Sequence, residues 1–415
     1  MTTREENDRL TQVGPVTPMG NLMRRYWVPA AFAETVARPD GPPVRVKLLG
    51  EDLVLFRATD GRIGLVAERC PHRTASLYFG RNEENGLRCV YHGLKFDVEG
   101  KCVDAPCVPK TSAGQLATYQ RQLATKAYPC IERAELIWTY MGPPEFMPAF
   151  PDLEWTMLPK ANRLTTRHVQ QCNWLQALEG GFDASHLSFL HKGLSDNSRD
   201  IVPSAYEVVP IDCGMAIANG RETGNGSMLW SINPMMMPFH KVIATALPAA
   251  HMWVPIDDAN TMLYSTDFNP RAALGEKDIA RVDGGQWIHT RNIPGTDHAM
   301  ANKSNDYLID REAQASGRSY SGLEGLAIQD CAIQESMGAI ADRSTEFLLP
   351  GDAGIVKIRR LLLKAMDDLA EGKTPPGMDP ASYRVRSTRF EAPVGTSVAD
   401  QLADRVRADI PKAAE

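Results

Sequence analysis

The chain has no run of about 18 apolar residues, so nothing in it is long and dry enough to cross a bilayer as a helix. Its first residues, MTTREENDRL, are polar and acidic where a secretory signal would be cationic and then apolar. It has no basic block either: 45 Lys plus Arg stand against 51 Asp plus Glu, a net charge of −6, which argues against nucleic acid as a partner. No G-x-G-x-x-G fingerprint follows a predicted strand and no C-x4-C-x2-C run occurs, so neither a dinucleotide fold nor a plant-type ferredoxin is expected. Repeats and low-complexity tracts are absent as well. What remains is an ordinary globular composition, 43% hydrophobic and 23% charged, over 415 residues, enough for two domains. A cytoplasmic location with scattered, reduced cysteines is the expectation.

Against that background two ligand pairs stand out. Residues 70–93 read CPHRTASLYFGRNEENGLRCVYHG and hold Cys70-x-His72 and Cys89-x-x-His92, with sixteen residues between the pairs. Two thiolates and two imidazoles grouped in this way suit a two-iron, two-sulfur cluster of Rieske type, in which two His replace two Cys on one iron. Imidazole is neutral where thiolate is anionic, so such a cluster has a potential of roughly −150 to +300 mV, against about −400 mV for plant-type clusters. Cys2His2 is also a zinc set, and a structural zinc site is the alternative. Zinc knuckles usually open with C-x2-4-C, whereas each pair here mixes one Cys with one His. The flanking residues His72-Arg73 and Tyr91 to Asp97 resemble Rieske loops at nearly every position. That resemblance places Cys70 and Cys89 on one iron and His72 and His92 on the other.

The rest of the chain divides around these loops. Thr17-Pro18 predicts a helix start, with Thr as N-cap and Pro at the first helical position, and residues 1–41 are read as a helical segment packing on the second domain. Residues 42–145 carry brief runs such as VRVKLLG, DLVLFRA and ELIWTYMG broken by Gly, Asp and Asn, which predict an all-β domain with the ligand pairs at strand ends. The Pro-rich stretch GPPEFMPAFPDLEW marks the domain connection. Residues 146–415 alternate hydrophobic and polar positions between helical patterns, giving an α+β domain with an antiparallel sheet. The C-terminal region reads as one helix, IRRLLLKAMDDLAEG, then a Pro-containing loop and a polar tail.

The second domain contains Asp183-x-x-His186-x4-His191. On an ideal helix a five-residue step leaves two side chains about 140° apart, so both His reach one ion only if the helix bends or ends between them. Two His and a carboxylate would form the facial triad with which mononuclear non-haem iron(II) activates dioxygen. In SGLEGLAIQDCAIQESMGAIADR the positions Leu323, Leu326, Ala327, Ile333 and Met337 follow helical spacing, and Asp330 falls on their face. A buried carboxylate must be paired, near water or on a metal. A helix-edge Asp paired with an Arg is the plainer alternative. Glu324, Glu335 and Asp342 lie off the stripe or near the helix end.

With these motifs in this order, the chain resembles the oxygenase component of Rieske non-haem iron aromatic ring-hydroxylating oxygenases, in the phthalate dioxygenase-like group with α subunits only. The stretches REENDRLTQVGPVTPMGNLMRRYW and QESMGAIADRSTE resemble that group too. The resemblance implies an α+β protein: an all-β Rieske [2Fe-2S] domain and a helix-grip-like catalytic domain whose antiparallel sheet is flanked by helices. It implies His186, His191 and Asp330 as ligands of a mononuclear Fe(II). It also implies a homotrimer, with stacking into hexamers left open, in which the cluster of one subunit abuts the iron of its neighbour. Asp183, one turn before His186 on the same side of the helix, would bridge His186 to the neighbour's His92. Electrons would come from a separate NADH-dependent flavin and iron–sulfur reductase.

The implied reaction is dihydroxylation of an aromatic carboxylate, phthalate-like, with O2. Monooxygenation, including O-demethylation of a methoxylated lignin-derived aromatic acid, stays open beside it, as does a role as a Rieske electron carrier only. For the substrate, the run MLWSINPMMMPFHKV suits a pliable apolar wall built by Met235, Met236 and Met237, against ordinary core packing. Arg199 and Arg221 lie in the region where the family holds a substrate carboxylate, against a surface role for each.

Overall fold

The structure is a computed structural model that describes residues 2–109, 113–194, 201–243, 245, 247–402 and 406–407. It forms two compact units, Arg24–Met147 and a larger one made of Met1–Met23 with Pro148–Glu415. The second boundary falls close to the expected one, but the first does not. Only the chain up to Met23 joins the larger unit, because Trp27–Phe32 pairs antiparallel with Leu136–Tyr140 and so belongs to a sheet of the β unit. The expected start holds: Pro18–Met23 is helical and the Thr17 hydroxyl accepts from the Gly20 N–H at 3.1 Å. An additional helix, Arg4–Thr11, begins with a Thr3–Glu6 capping box.

The β unit holds three antiparallel sheets among the described residues. Three of its hairpins turn through two residues at positive φ, Leu49-Gly50, Glu84-Asn85 and Ala134-Glu135. Positive φ at both central positions is the type I′ geometry, whose twist matches that of the flanking strands. Only one of the three carries the glycine that would announce it. The strands enclose a core in which Cys70 and Cys89 pack with Phe56, Leu87 and Phe96.

In the larger unit an antiparallel sheet runs in the order Arg163–Gln170, Asn260–Phe268, Ala249–Asp257, His240–Ile243, Ser227–Met236, Gly214–Glu222 and Ala205–Ile211. The tail is less polar in role than its sequence suggests. Thr388–Pro393 adds to the sheet beside Ser227–Met236, and Phe390 and Ala392 pack with Trp230 and Ile232 in one apolar cluster. Among the described residues no helix is long and apolar enough to cross a membrane.

The helix Trp174–Phe182 positions the site. Asn173 caps it, accepting from the Leu175 N–H at 3.1 Å while its amide donates to Thr11 O at 2.9 Å and Asp258 O at 2.7 Å. At its other end the two glycines allow close packing. A Cβ on Gly181 would lie 2.3 Å from the Trp253 ring, and one on Gly180 2.2 Å from the Gln334 amide. Just before them, Glu179 is buried and receives Arg343 Nη2 at 2.9 Å and Arg359 Nε at 2.7 Å. Arg343 also donates to Asn7 Oδ1 at 3.0 Å, which ties in the N-terminal helix. Burial raises the Glu179 carboxyl's pKa, but the two guanidinium groups outweigh it and the net direction is down.

Removing one partner of a buried charge network leaves the others uncompensated, at a cost of about 3–5 kcal/mol. Glu179→Gln should therefore lower the melting temperature by about 5–15 °C, read by circular dichroism. Because the folded pKa lies below the unfolded one, the carboxylate's contribution is present at neutral pH and fades as pH falls through the folded value. The gap between wild type and variant should thus narrow in acid.

Candidate metal sites and the adjoining pocket

The two cysteine loops of the β unit repeat one backbone pattern. The Cys70 N–H donates to Ala75 O and the Thr74 N–H to Cys70 O, both at 2.9 Å. In the second loop the Cys89 N–H donates to Leu94 O at 2.8 Å and the Gly93 N–H to Cys89 O at 2.9 Å. Thr74 and Gly93, the matching positions, both have positive φ. Each loop buries its Cys and lifts its His toward the surface, so the His72 and His92 ring centroids lie 4.5 Å apart at the tip. Burial, with the Cys89 thiol adding to it, pushes Cys70 up to about 11, so metal binding here releases protons. Buried thiols and accessible imidazoles suit a mixed-ligand cluster of this type.

In the larger unit, His186, His191 and Asp330 converge, with one donor atom from each lying within 4.8 Å of the others. His186 Nε2 is 3.1 Å from His191 Nε2, and Asp330 Oδ1 is 3.2 Å from His191 Nε2 and 3.6 Å from His186 Nε2. One face of an octahedron with bonds of about 2.1 Å has edges of about 3.0 Å, so the donors already stand near the spacing of a facial triad. The helix does end between the motif's members, as the spacing required. It stops at Phe182, and His186–Ser188 forms a separate 3-10 turn. Asp183 is thus not on the helix face with His186. It caps the helix, accepts the Ser185 N–H at 2.7 Å on Oδ1, and faces His186 Nδ1 across 3.4 Å with Oδ2.

Asp330 lies on the helix Leu326–Ser336, but the apolar stripe drawn from the sequence is broken. Ile333 and Met337 are 43% and 52% exposed, while Leu326, Ala327, Asp330 and Gln334 face the pocket. Among the described residues the ion-pair partners of Asp330 are the two His, with no Arg beside them. Sequence reasoning passed over Gln329. Its amide nitrogen donates to Ser321 Oγ at 2.9 Å and Leu323 O at 3.0 Å, which turns Oε1 toward His191 Nδ1 at 2.7 Å. His191 Nδ1 must then carry the hydrogen, leaving Nε2 as the lone-pair donor.

The pocket beside the triad uses one face of the sheet as its floor. Cross-strand partners Asn219 and Ser231, Ile217 and Asn233, and Lys241 and His251 all line it. Trp287, Ile288 and Leu326 supply apolar wall. Arg221 lines it too but is no surface residue. It is 3% exposed and donates to Ile201 O at 2.8 Å, to Ala184 O at 3.1 Å and to Asn219 Oδ1, bracing the turn between Asp183 and His186. Met235, Met236 and Met237 are buried in the core, and the wall from their strand is Ser231 and Asn233. The chain turns inward there, where the Met237 N–H donates to Cys213 O at 2.8 Å. Arg199 lies outside the described residues. Lys241 and His251, single residues on separate strands, had no motif to reveal them.

Comparison with known proteins gives the family. The Rieske [2Fe-2S] domain family matches residues 26–126, and the family described as LigXa C-terminal domain like matches residues 139–207 and 237–400. The chain is 37% identical over 406 residues to the 3-chlorobenzoate-3,4-dioxygenase oxygenase subunit of Comamonas testosteroni, covering 92% of this chain and 93% of that protein. It is 33% identical over 420 residues to the phthalate 4,5-dioxygenase oxygenase subunit of Pseudomonas putida, covering 96% and 94%. It is 32% identical over 394 residues to the 5,5'-dehydrodivanillate O-demethylase oxygenase subunit of a Sphingobium strain, covering 92% and 85%. In fold it is similar to crystalline dicamba monooxygenase bound to dicamba, with a TM-score of 0.59 at 20% identity over 85% of this chain and 99% of that one. The chain belongs to the Rieske non-haem iron oxygenases. Within them it is an oxygenase component of the phthalate dioxygenase-like group, a terminal oxygenase that carries a Rieske [2Fe-2S] cluster and a mononuclear iron and takes electrons from partner proteins.

Gln329→Leu tests the tautomer argument. Losing a group that orients a metal-ligand His typically costs about 10- to 100-fold in metal affinity. Iron titration should show that loss at the mononuclear site, with the visible spectrum of the cluster unchanged.

Proposed function

We propose that this oxygenase adds both atoms of dioxygen to the ring of an aromatic carboxylate. Cys70, His72, Cys89 and His92 hold the cluster, and His186, His191 and Asp330 hold the mononuclear iron. The observation that carries the reading is the three-donor face opening on a pocket with apolar walls and two cationic side chains, Lys241 and Arg221. Bound there, iron(II) with open positions supplies dioxygen activation. The chain's own residues supply the rest. Gln329 and Asp183 hold the outer nitrogens of the two His, Trp253, Trp287 and Leu326 give apolar surface to an aromatic ring, and the cations favour an anionic substituent. The relatives named for 3-chlorobenzoate and phthalate act on ring carboxylates, which supports an acid as substrate.

The working unit in this reading is a homotrimer. Asp183 of one subunit bonds to His92 of the next, so that electrons pass from cluster to triad across the boundary, and an NADH-dependent reductase with flavin and iron–sulfur centres delivers them. The position of His92 at the accessible tip of its loop supports this role, as does that of Asp183 beside His186. A second reading, O-demethylation of a methoxylated aromatic acid, is favoured by the dehydrodivanillate O-demethylase relative.

Turnover with a surrogate reductase on benzoates and methoxybenzoates separates the two. A cis-diol without formaldehyde is expected, and formaldehyde without a diol would replace the first reading with the second. His186→Ala should lose the mononuclear iron, keep the cluster and lose oxygen incorporation; a protein that only carried electrons would be unaffected. Asp183→Asn should keep both metals and a reducible cluster while turnover falls by about 10- to 100-fold or more. Loss of either metal in that variant would argue against the bridge.

A further inference from the structure

We propose that Lys241 takes the substrate's carboxylate and, by leaving its present acceptor to do so, signals substrate arrival to the turn that carries Asp183 and His186. The inference rests on the aromatic-acid reading above. Lys241 sits in the strand His240–Ile243, opposite His251 in register, and both side chains line the pocket. Its ammonium donates to Gly181 O and stands 5.2 Å from the centroid of the Phe182 ring. Gly181 is in the last turn of the helix Trp174–Phe182, where backbone carbonyls lack helical partners and the helix dipole is negative. The same nitrogen that borders the substrate space therefore grips the carbonyl two residues before Asp183.

The neighbouring groups leave this role to Lys241. Arg221, the other cation lining the pocket among the described residues, is a rigid planar fork already bonded to Ile201 O, Ala184 O and Asn219 Oδ1. Burial, and then the charge of Lys241, hold His251 well below its ordinary pKa, so that row of the floor carries its positive charge on the lysine. A carboxylate is a stronger acceptor for an ammonium than a neutral carbonyl is, and the lysine stem is long and flexible. An arriving acid thus competes directly with Gly181 O. The contacts of Gly180 with Gln334 and of Gly181 with Trp253 limit where the freed helix end can go, so the change falls on the turn beyond it.

Calorimetric binding of benzoate, 3-chlorobenzoate and phthalate, each beside its neutral amide, tests the recognition step on the purified holoprotein. Wild type should prefer at least one acid to its amide. Lys241→Met should weaken that acid by about 10- to 100-fold while amide binding stays within about twofold, and Lys241→Arg should retain the preference. Equal loss for acid and amide in Lys241→Met would reduce the residue to a packing role, and unchanged acid affinity would exclude it from the site. Either result overturns the inference and leaves the acid reading standing. A wild type that prefers no acid to its amide overturns both. Amide hydrogen exchange over residues 182–187 tests the signal: the acid should alter exchange in wild type and not in Lys241→Met. An acid that binds wild type without altering exchange there overturns the coupling.

Discussion

The catalytic unit depends on where one helix stops. If Trp174–Phe182 continued for another two and a half turns, His186 and His191 would point about 140° apart and no single ion could hold both. The stop is enforced from three sides. Glu179, anchored by Arg343 and Arg359, fixes the last full turn in the core. Gly180 and Gly181 bring the backbone against Gln334 and Trp253 with no room for a side chain. Asp183 then turns the chain, its Oδ1 accepting the Ser185 N–H in place of a further helical bond. Each of these groups lies outside the ligand set, yet the 3.1 Å between the two Nε2 atoms follows from them.

The same stop organises the outer shell. A metal-binding imidazole needs its second nitrogen held, and here the two are held differently. His191 is buried and meets the neutral oxygen of Gln329, while His186 is partly exposed and meets the carboxylate of Asp183. A carboxylate makes its imidazole the more basic ligand and can accept a second donor on its far side, whereas an amide already bonded to Ser321 and Leu323 cannot turn to do so. The asymmetry leaves one His as a fixed anchor and the other with the more accessible partner. In the trimer proposed above, this physical distinction, not the order of residues in the motif, is what would make Asp183 the side from which electrons arrive.

Both candidate metal sites were legible in the sequence to the extent that their chemistry is local. Cys70-x-His72, Cys89-x-x-His92 and His186-x4-His191 place donors within a few residues of one another, so spacing alone limits what they can bind. Asp330 was found only by its helical setting, and part of that setting was misread, since Ile333 and Met337 face outward. Gln329 and Lys241 left no trace because their partners, His191 and Gly181, are remote in the chain and adjacent only in space. The fold class and the antiparallel sheet followed from alternation, whereas the strand Thr388–Pro393 hid in a short, polar-looking tail. The hairpins at Glu84-Asn85 and Ala134-Glu135 hid because neither uses glycine at positive φ. The N-terminal boundary was missed because strand pairing with Leu136–Tyr140, and not composition, assigns Trp27–Phe32 to the β unit.

The pocket separates two tasks that a single active site has to combine. Its triad comes from a turn and a helix, while its floor comes from alternate residues of adjacent strands. In an antiparallel sheet each such residue points to one face and its neighbours to the other, so a floor residue can change without moving the backbone hydrogen bonds that set the sheet. Asn219, Ser231, Asn233, Lys241 and His251 are all placed in this way, so substrate chemistry is written on a surface that can vary while the metal geometry is kept. Like Arg221, which reaches Ala184 O, Lys241 departs from that separation. Its hydrogen bond crosses from the floor to the helix end, so altering this one floor position also alters what holds the turn of Asp183 and His186. If Lys241 takes the substrate's charge as proposed, a change of that charge would require a compensating contact at Gly181 O, whereas a change of substrate shape alone would not.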